Sequence, residues 1–308
     1  MLKADKISYG FDDGDFVLER LSLNVKPGEI ISIVGPSGVG KTTFLKCLSG
    51  RLQLKEGSIT VDGELLPGPL DQLIAGHDDV AIVDQDFSLD HYFSVKENIS
   101  NQLLNLSSED KEDFTNELLA VFGLTDLKDQ PSKFISGGEK QRLSMACALA
   151  KEPTYLLLDE PFSNLDVHLK KSIGSYLRKL QQIRNMGVVL VTHEGVDALS
   201  WSDKIYFIKS KGKIHKYTPD QAYYSPRTLN EGRFFGQLNS VYINGQQVLF
   251  RPTQYSVEKG KYTRAVKIGY QSTDFHGHFY ANYFKLANGK EIVLYANETL
   301  DQLKQIYV

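Results

Sequence analysis

Apolar and polar positions divide the chain into two textures. Through residue 212, short and almost wholly apolar runs alternate with segments whose apolar positions recur every three or four residues. The first kind predicts buried strands at Ile30-Ile31-Ser32-Ile33-Val34, Tyr155–Leu158 and Val188–Thr192. The second predicts helices over Lys41–Ser49, 108–122, 139–151 and about Asp166–Arg184. Lys6–Tyr9 and Leu21–Val25 read as two further strands ahead of Pro27-Gly28-Glu29. Strands alternating with helices in this way make an α/β domain.

After about Gly212 the pattern changes. Tyr and Phe become frequent, helical periodicity fades, and Asn244-Gly245 and Asn288-Gly289 each stand between strand-like runs. Asn-Gly supplies the positive φ angles of a tight hairpin. It predicts one hairpin pairing Tyr242–Ile243 with Gln247–Phe250 and another pairing Tyr280–Leu286 with Glu291–Tyr295. The tail is therefore expected to be a small antiparallel β domain. The division is 1–212 for the first domain, 213–235 for a linker and 236–308 for the second.

Composition keeps this picture within ordinary globular proteins, with 41% hydrophobic and 24% charged residues among 308. No apolar run approaches the ~18 residues of a membrane span. The opening Met-Leu-Lys-Ala-Asp has no apolar core of a leader, so a cytoplasmic chain is expected. Cys47 and Cys147 fall inside apolar helical patterns and read as buried thiols rather than a bridge. The net charge of −3 is uneven: residues 213–308 carry 12 Lys/Arg against 7 Asp/Glu, leaving 23 against 31 before them. Neither part holds a dense basic stripe, which argues against nucleic acid as the partner.

Chemistry enters at the turn after the first buried strand. Gly35-Pro36-Ser37-Gly38-Val39-Gly40-Lys41-Thr42 fits the phosphate-binding loop G-x-x-x-x-G-K-[ST], with Thr43 following. Glycines let backbone N–H groups turn toward phosphate oxygens, and the next helix points its positive end at them. Lys41 is placed to neutralise β/γ-phosphates and Thr42 to set its hydroxyl on Mg²⁺. Leu156-Leu157-Leu158-Asp159-Glu160 is a buried strand ending in two acids, Asp159 as a metal ligand and Glu160 as a general base for water. Ser136-Gly137-Gly138-Glu139 opens a helix as a capping box, yet two consecutive glycines weaken a helix start and bare its N–H groups for an anion.

With Ile135-Ser136-Gly137-Gly138-Glu139-Lys140-Gln141-Arg142 placed 23 residues before Asp159, residues 1–212 resemble the ATP-binding cassette (ABC) ATPases. That resemblance implies an α/β P-loop NTPase with a helical subdomain at about 88–150, and ATP with Mg²⁺ as its cofactors. It makes Tyr9 the ring stacked on adenine, with a core aromatic as the alternative. The long turn Asp12-Asp13-Gly14-Asp15 leaves Phe11 or Phe16 open for that role. It makes Gln85 a residue touching metal or water, Asp166 part of a loop joining two nucleotide sites, and His193 a contact to the γ-phosphate. Glu139 departs from the commonest family form, which has Gln.

Phe234-Phe235-Gly236-Gln237-Leu238-Asn239, then Phe250-Arg251-Pro252 and two strand pairs, look like the TOBE-like (OB-type) β domain of importer ATPases. The resemblance then implies the ATP-hydrolysing subunit of a binding-protein-dependent importer of ferric iron, polyamine, sulfate or sugar type. Its partners would be a second copy in a head-to-tail ATP sandwich, separate transmembrane permease subunits and, indirectly, an extracytoplasmic solute-binding protein. Its place would be peripheral on the inner face of the membrane. An exporter-type ATPase and a regulatory nucleotide-binding module share the motifs of residues 1–212 and stand as alternatives.

Overall fold

The computed structural model describes residues 1–11, 16–84, 89–103, 106–163 and 165–308, in two compact units, Met1–Pro219 and Asp220–Val308. The first unit is built on a six-stranded sheet in the spatial order Lys213–Tyr217, Lys204–Ser210, Ile30–Val34, Gly187–Val191, Tyr155–Asp159, Val80–Val83. All neighbouring pairs are parallel except the antiparallel edge strand Lys213–Tyr217. The three central strands are buried at every position, which is why they read as continuous apolar runs.

Side chains alternate across this sheet and feed two separate cores. Ile30, Leu156, Leu158, Val188 and Leu190 face one core. There they meet apolar residues of the helices Val95–Ser100, Ser108–Val121, Gly137–Ala150 and Val167–Arg184. Ile31, Ile33, Leu157, Val189 and Val191 face the other core, with Phe44, Leu45 and Leu48 of the helix Lys41–Leu48. That second core is closed by a four-stranded antiparallel sheet in the order Phe16–Val25, Leu2–Gly10, Glu56–Val61, Glu64–Leu65. Cys47 and Cys147 are free and buried, and burial pushes both thiols up to about 12.

The linker expected at 213–235 takes a different form. Lys213–Tyr217 is a strand hydrogen-bonded to Lys204–Ser210, and helices follow at Pro219–Tyr224 and Leu229–Phe234. The change in charge at residue 212 falls on the turn of a hairpin, not on a boundary, because Lys213 and Lys216 occupy exposed positions of an edge strand, where charge is tolerated.

In the second unit, Asn239–Ile243 pairs with Gln246–Phe250 through a two-residue turn whose Asn244 and Gly245 both have positive φ, 51° and 78°. The expected pairing of Tyr242–Ile243 with Gln247–Phe250 falls within this hairpin, whose ladder runs further, to Asn239 and Gln246. Tyr280–Lys285 pairs with Glu291–Ala296 and also with Gly269–Phe275, a third strand that the sequence pattern does not announce. Ala265–Lys267 pairs with Gln305–Tyr307. Phe284, Leu294 and Ile306 are fully buried at the centre. Arg251 is wholly buried and donates to the carbonyls of Tyr223, Gly236 and Gln237, with its guanidinium 4.0 Å from the Tyr223 ring centre. It thereby pins the segment entering this unit to its sheets.

Candidate functional site

The parallel strands ending at Val34, Val83, Asp159 and Val191 bring their carboxyl ends to one edge, where α/β sheets bind ligands. The turn after Val34 is the phosphate-loop sequence. Gly35, Gly38 and Gly40 have φ of 152°, 76° and 97°. A Cβ on Gly35 would lie 2.3 Å from the Ile208 carbonyl oxygen, so that position admits glycine alone. Helices beginning at Val95, Ser108, Gly137 and Val167 each carry a side-chain cap, whereas the helix beginning at Lys41 has none. Its first N–H groups are left for a ligand.

Lys41 is buried, and its ammonium donates to the carbonyls of Gly35 and Pro36, each at 2.9 Å. Burial lowers its pKa, while Glu160 and Asp159 pull it upward. Asp159 is 3% exposed, and neither carboxylate oxygen has a hydrogen-bond partner among the described residues. Burial raises its carboxyl pKa; the Thr42 hydroxyl and Lys41 hold it down, without a well-formed hydrogen bond. A buried carboxylate with both oxygens orphaned beside an ammonium and a hydroxyl fits a hard divalent cation such as Mg²⁺.

Glu160 has φ 51°, a left-handed conformation costing about 1–2 kcal/mol in a non-glycine residue. Its N–H donates to the Val191 carbonyl at 2.8 Å. Its carbonyl accepts from Ser163 Oγ at 2.8 Å and from Gln141 Nε2 at 2.9 Å. One carboxylate oxygen lies 3.0 Å from His193 Nδ1. The residues after His193 are tied down in turn, since Lys170 bonds Asp197 at 3.0 Å and Glu194 at 3.3 Å.

The structure thus brings Lys41, Thr42, Asp159, Glu160 and His193 to one edge. Ser136 caps its helix reciprocally with Glu139, as the capping pattern predicts, and the Glu139 carboxyl is held below its usual range by the Ser136 N–H. Gly137 and Gly138 differ from Gly35: a Cβ on either would meet nothing within 4 Å. Among the described residues of the chain, none demands glycine at these two positions. Asp166 caps the helix Val167–Arg184 through the Leu169 N–H, a bond that also keeps its carboxyl low.

Tyr9 packs edge-on to Phe11, centroids 5.7 Å apart, and Phe11 is two-thirds exposed at 66%. Gly10 pairs with Phe16, and Lys55 reaches both the Phe11 carbonyl and the Phe16 ring, so the three aromatic alternatives share one corner. Gln85, Asn164 and the turn Asp12–Asp15 lie outside the described residues. Gln141 and Ser163 lie within motifs that the sequence shows, but the motifs alone assign neither of them a contact to Glu160. A cleft of about 660 Å³, lined among others by Arg51, Asp79, Gln102 and Lys151, contains none of the phosphate-loop residues.

A family model described as "ABC transporter" matches residues 18–163. The chain is 37% identical over 226 residues to the spermidine/putrescine import ATP-binding protein PotA of Legionella pneumophila (strain Paris), covering 72% of this chain and 61% of PotA. It is 32% identical to the Fe(3+) ions import ATP-binding protein FbpC of Vibrio cholerae, covering 75% of this chain and 66% of FbpC. With the sulfate/thiosulfate import ATP-binding protein CysA of Pseudomonas syringae pv. tomato it shares 33% identity, over 79% of this chain and 75% of CysA. The chain therefore spans about three-fifths to three-quarters of these relatives' lengths. Among solved structures, an ATP-binding cassette captured as a dimer in a post-hydrolysis state with ADP and Pi superposes with a TM-score of 0.63 at 28% identity. The match covers 71% of this chain and 99% of that one. The glycine-only turn at Gly35, the orphaned Asp159 carboxylate beside Lys41 and these relatives lead to one conclusion: the chain belongs to the ABC transporter family of ATP-binding proteins.

Proposed function

We propose that this chain binds and hydrolyses ATP to power a membrane importer. The observation that carries this is the buried Asp159 carboxylate, without a hydrogen-bond partner among the described residues, between Lys41 of the phosphate loop and the Glu160–His193 pair. Lys41 and the uncapped helix start neutralise the β- and γ-phosphates. Thr42 and Asp159 would hold Mg²⁺, which when bound offsets charge on the phosphate oxygens. Glu160 takes a proton from water as its oxygen attacks the γ-phosphorus. The bond to the β–γ bridging oxygen breaks, leaving ADP and inorganic phosphate. His193 steadies the Glu160 carboxylate and faces the γ-phosphate.

Ser136, Gly137 and Gly138 act on the nucleotide of a second copy, which accounts for two glycines that their own chain does not require. ATP favours the closed dimer because only that state offers it both half-sites. Hydrolysis removes the preference and the dimer opens. The opening is passed to separate membrane permease subunits, served outside the cell by a solute-binding protein, with this chain on the inner face of the membrane. Among the described residues no helix is long and apolar enough to cross a membrane. The named relatives are import ATP-binding proteins for spermidine/putrescine, Fe(3+) ions and sulfate/thiosulfate; the transported solute is set by the partner chains, with ferric iron our first choice.

The docking surface includes Tyr92 and Phe93, which stand 82% and 42% exposed beside the helix Val95–Ser100. Phe87 and Ser88, at the start of this aromatic stretch, lie outside the described residues. Purification from native membranes should bring integral membrane partners with the chain. Tyr92→Asp should abolish that co-purification and transport while leaving ATPase activity of the isolated protein within about twofold, since surface changes seldom disturb the fold. Equal loss of ATPase activity and transport would place Tyr92 in the chain's own packing.

A further inference from the structure

The helix Gly137–Ala150 is joined at its first turns to two different things. Its start is the Ser136-Gly137-Gly138 segment, exposed at Ser136 and Gly137 and half-buried at Gly138, where a Cβ at either glycine would meet none of the described residues within 4 Å. Five residues after Ser136, Gln141 donates from Nε2 to the carbonyl oxygen of Glu160 at 2.9 Å. The two positions are about 7.5 Å apart along the axis. The turn between Ser136 and Gln141 includes Gly137 and Gly138, but the reciprocal bonds between Ser136 and Glu139 close it, and it contains no proline.

The residue at the other end of that bond is under backbone strain. Glu160 sits at φ 51° and keeps that conformation through bonds on both sides: its N–H to Val191, its carbonyl to Ser163 and Gln141. Two of these pins come from its own sheet edge and the turn that follows it. The Gln141 bond alone comes from the helix that opens at Ser136. A non-glycine residue in this region persists only where its surroundings over-determine it.

We propose that Gln141 is a positioning residue: it transmits the seating of the Ser136 helix start to the backbone of Glu160 and so sets the aim of that carboxylate. This rests on Glu160 being the general base. When a second copy's nucleotide engages Ser136, the helix is held in place and the Gln141 amide holds the Glu160 carbonyl. When that engagement is lost, the bond loosens and Glu160 turns away from the line of attack. Hydrolysis in one site is thereby tied to occupancy of the other along a single helix.

The test uses the full chain and three substitutions. Gln141→Met keeps length and flexibility but has no donor, while Gln141→His keeps a ring N–H at the same number of bonds from Cβ. Gln141→Met is expected to lower kcat about tenfold, the value of one hydrogen bond to a strained group, with KM for ATP unchanged within about twofold. Positive cooperativity in ATP should weaken with it, and Gln141→His should restore most of kcat. In single-turnover measurements on a Glu160→Gln background, Gln141→Met should cause no further loss, because the two act through one step. Wild-type kcat in Gln141→Met overturns the proposal, as does a kcat loss that comes with a fall in Tm and a matching rise in KM. Full additivity with Glu160→Gln overturns it too. Near-normal turnover by Glu160→Gln alone removes the base assignment instead, whatever Gln141→Met does.

Discussion

Glu160→Gln is expected to lower ATP turnover by about 10²–10⁴-fold, the usual contribution of a positioned general base. The substitution changes one oxygen for an amide nitrogen and leaves shape, backbone pins and burial alone. The groups assigned to the phosphates, Lys41 and the start of the helix Lys41–Leu48, are untouched, as is the Asp159 carboxylate. ATP affinity should therefore survive within a few-fold, since binding and chemistry are separable losses. With binding intact and hydrolysis blocked, the ATP-bound dimer has no exit and should accumulate, visible as a two-chain species in sedimentation with ATP. The wild-type protein should show that species only transiently. Turnover close to wild type would take Glu160 out of the base role and leave His193 as the remaining titratable group at that position.

Ser136→Arg has an expected effect of the same size through a different route. Arginine cannot cap the helix Gly137–Ala150, a loss of about 1 kcal/mol, which the fold should tolerate. Its bulk would stand where a partner's triphosphate must approach Gly137 and Gly138. Hydrolysis should be abolished while the isolated chain binds ATP as before, because Ser136 serves the other copy's nucleotide. Mixing Ser136→Arg with Lys41→Ala should restore measurable activity from at most one working site in each mixed dimer, at a rate below that of a wild-type site because no partner nucleotide seats the Ser136→Arg helix start. One site there pairs an intact Lys41 with an intact Ser136, and the other carries both defects. Loss of ATP binding by the single Ser136→Arg chain would mean that this segment acts within its own copy. Absence of any rescue on mixing would count equally against the shared site.

Much of the site is legible in the sequence because the relevant signals are local. The phosphate loop needs glycine where φ is positive, and Gly35, Gly38 and Gly40 declare that in the sequence. Strands buried on both faces announce themselves as apolar runs, and the acids closing one of them mark the ligand edge. The Asn244-Gly245 dipeptide marks its hairpin by local turn chemistry, positive φ at both residues. What was missed depends on contacts distant in sequence. Gln141 is one polar residue among several on its helix, and only the fold brings its amide to the Glu160 carbonyl, 19 residues away. The strand Gly269–Phe275 is exposed at most positions and has no apolar alternation to announce it. The edge strand Lys213–Tyr217 reads as linker in the sequence because its lysines match the composition of the tail.

The central claim is that hydrolysis belongs to a pair of chains closed around ATP, and its most direct test is the dependence of rate on protein concentration. Turnover per mole of chain, measured with saturating ATP and Mg²⁺, should rise with concentration in the dilute range and level off as the dimer fills. Adding excess Lys41→Ala chain to dilute wild type should raise turnover per wild-type chain, because the variant still donates Ser136, Gly137 and Gly138. A specific activity constant down to the lowest measurable concentration, indifferent to added variant, would show a single chain hydrolysing ATP alone and would contradict the account.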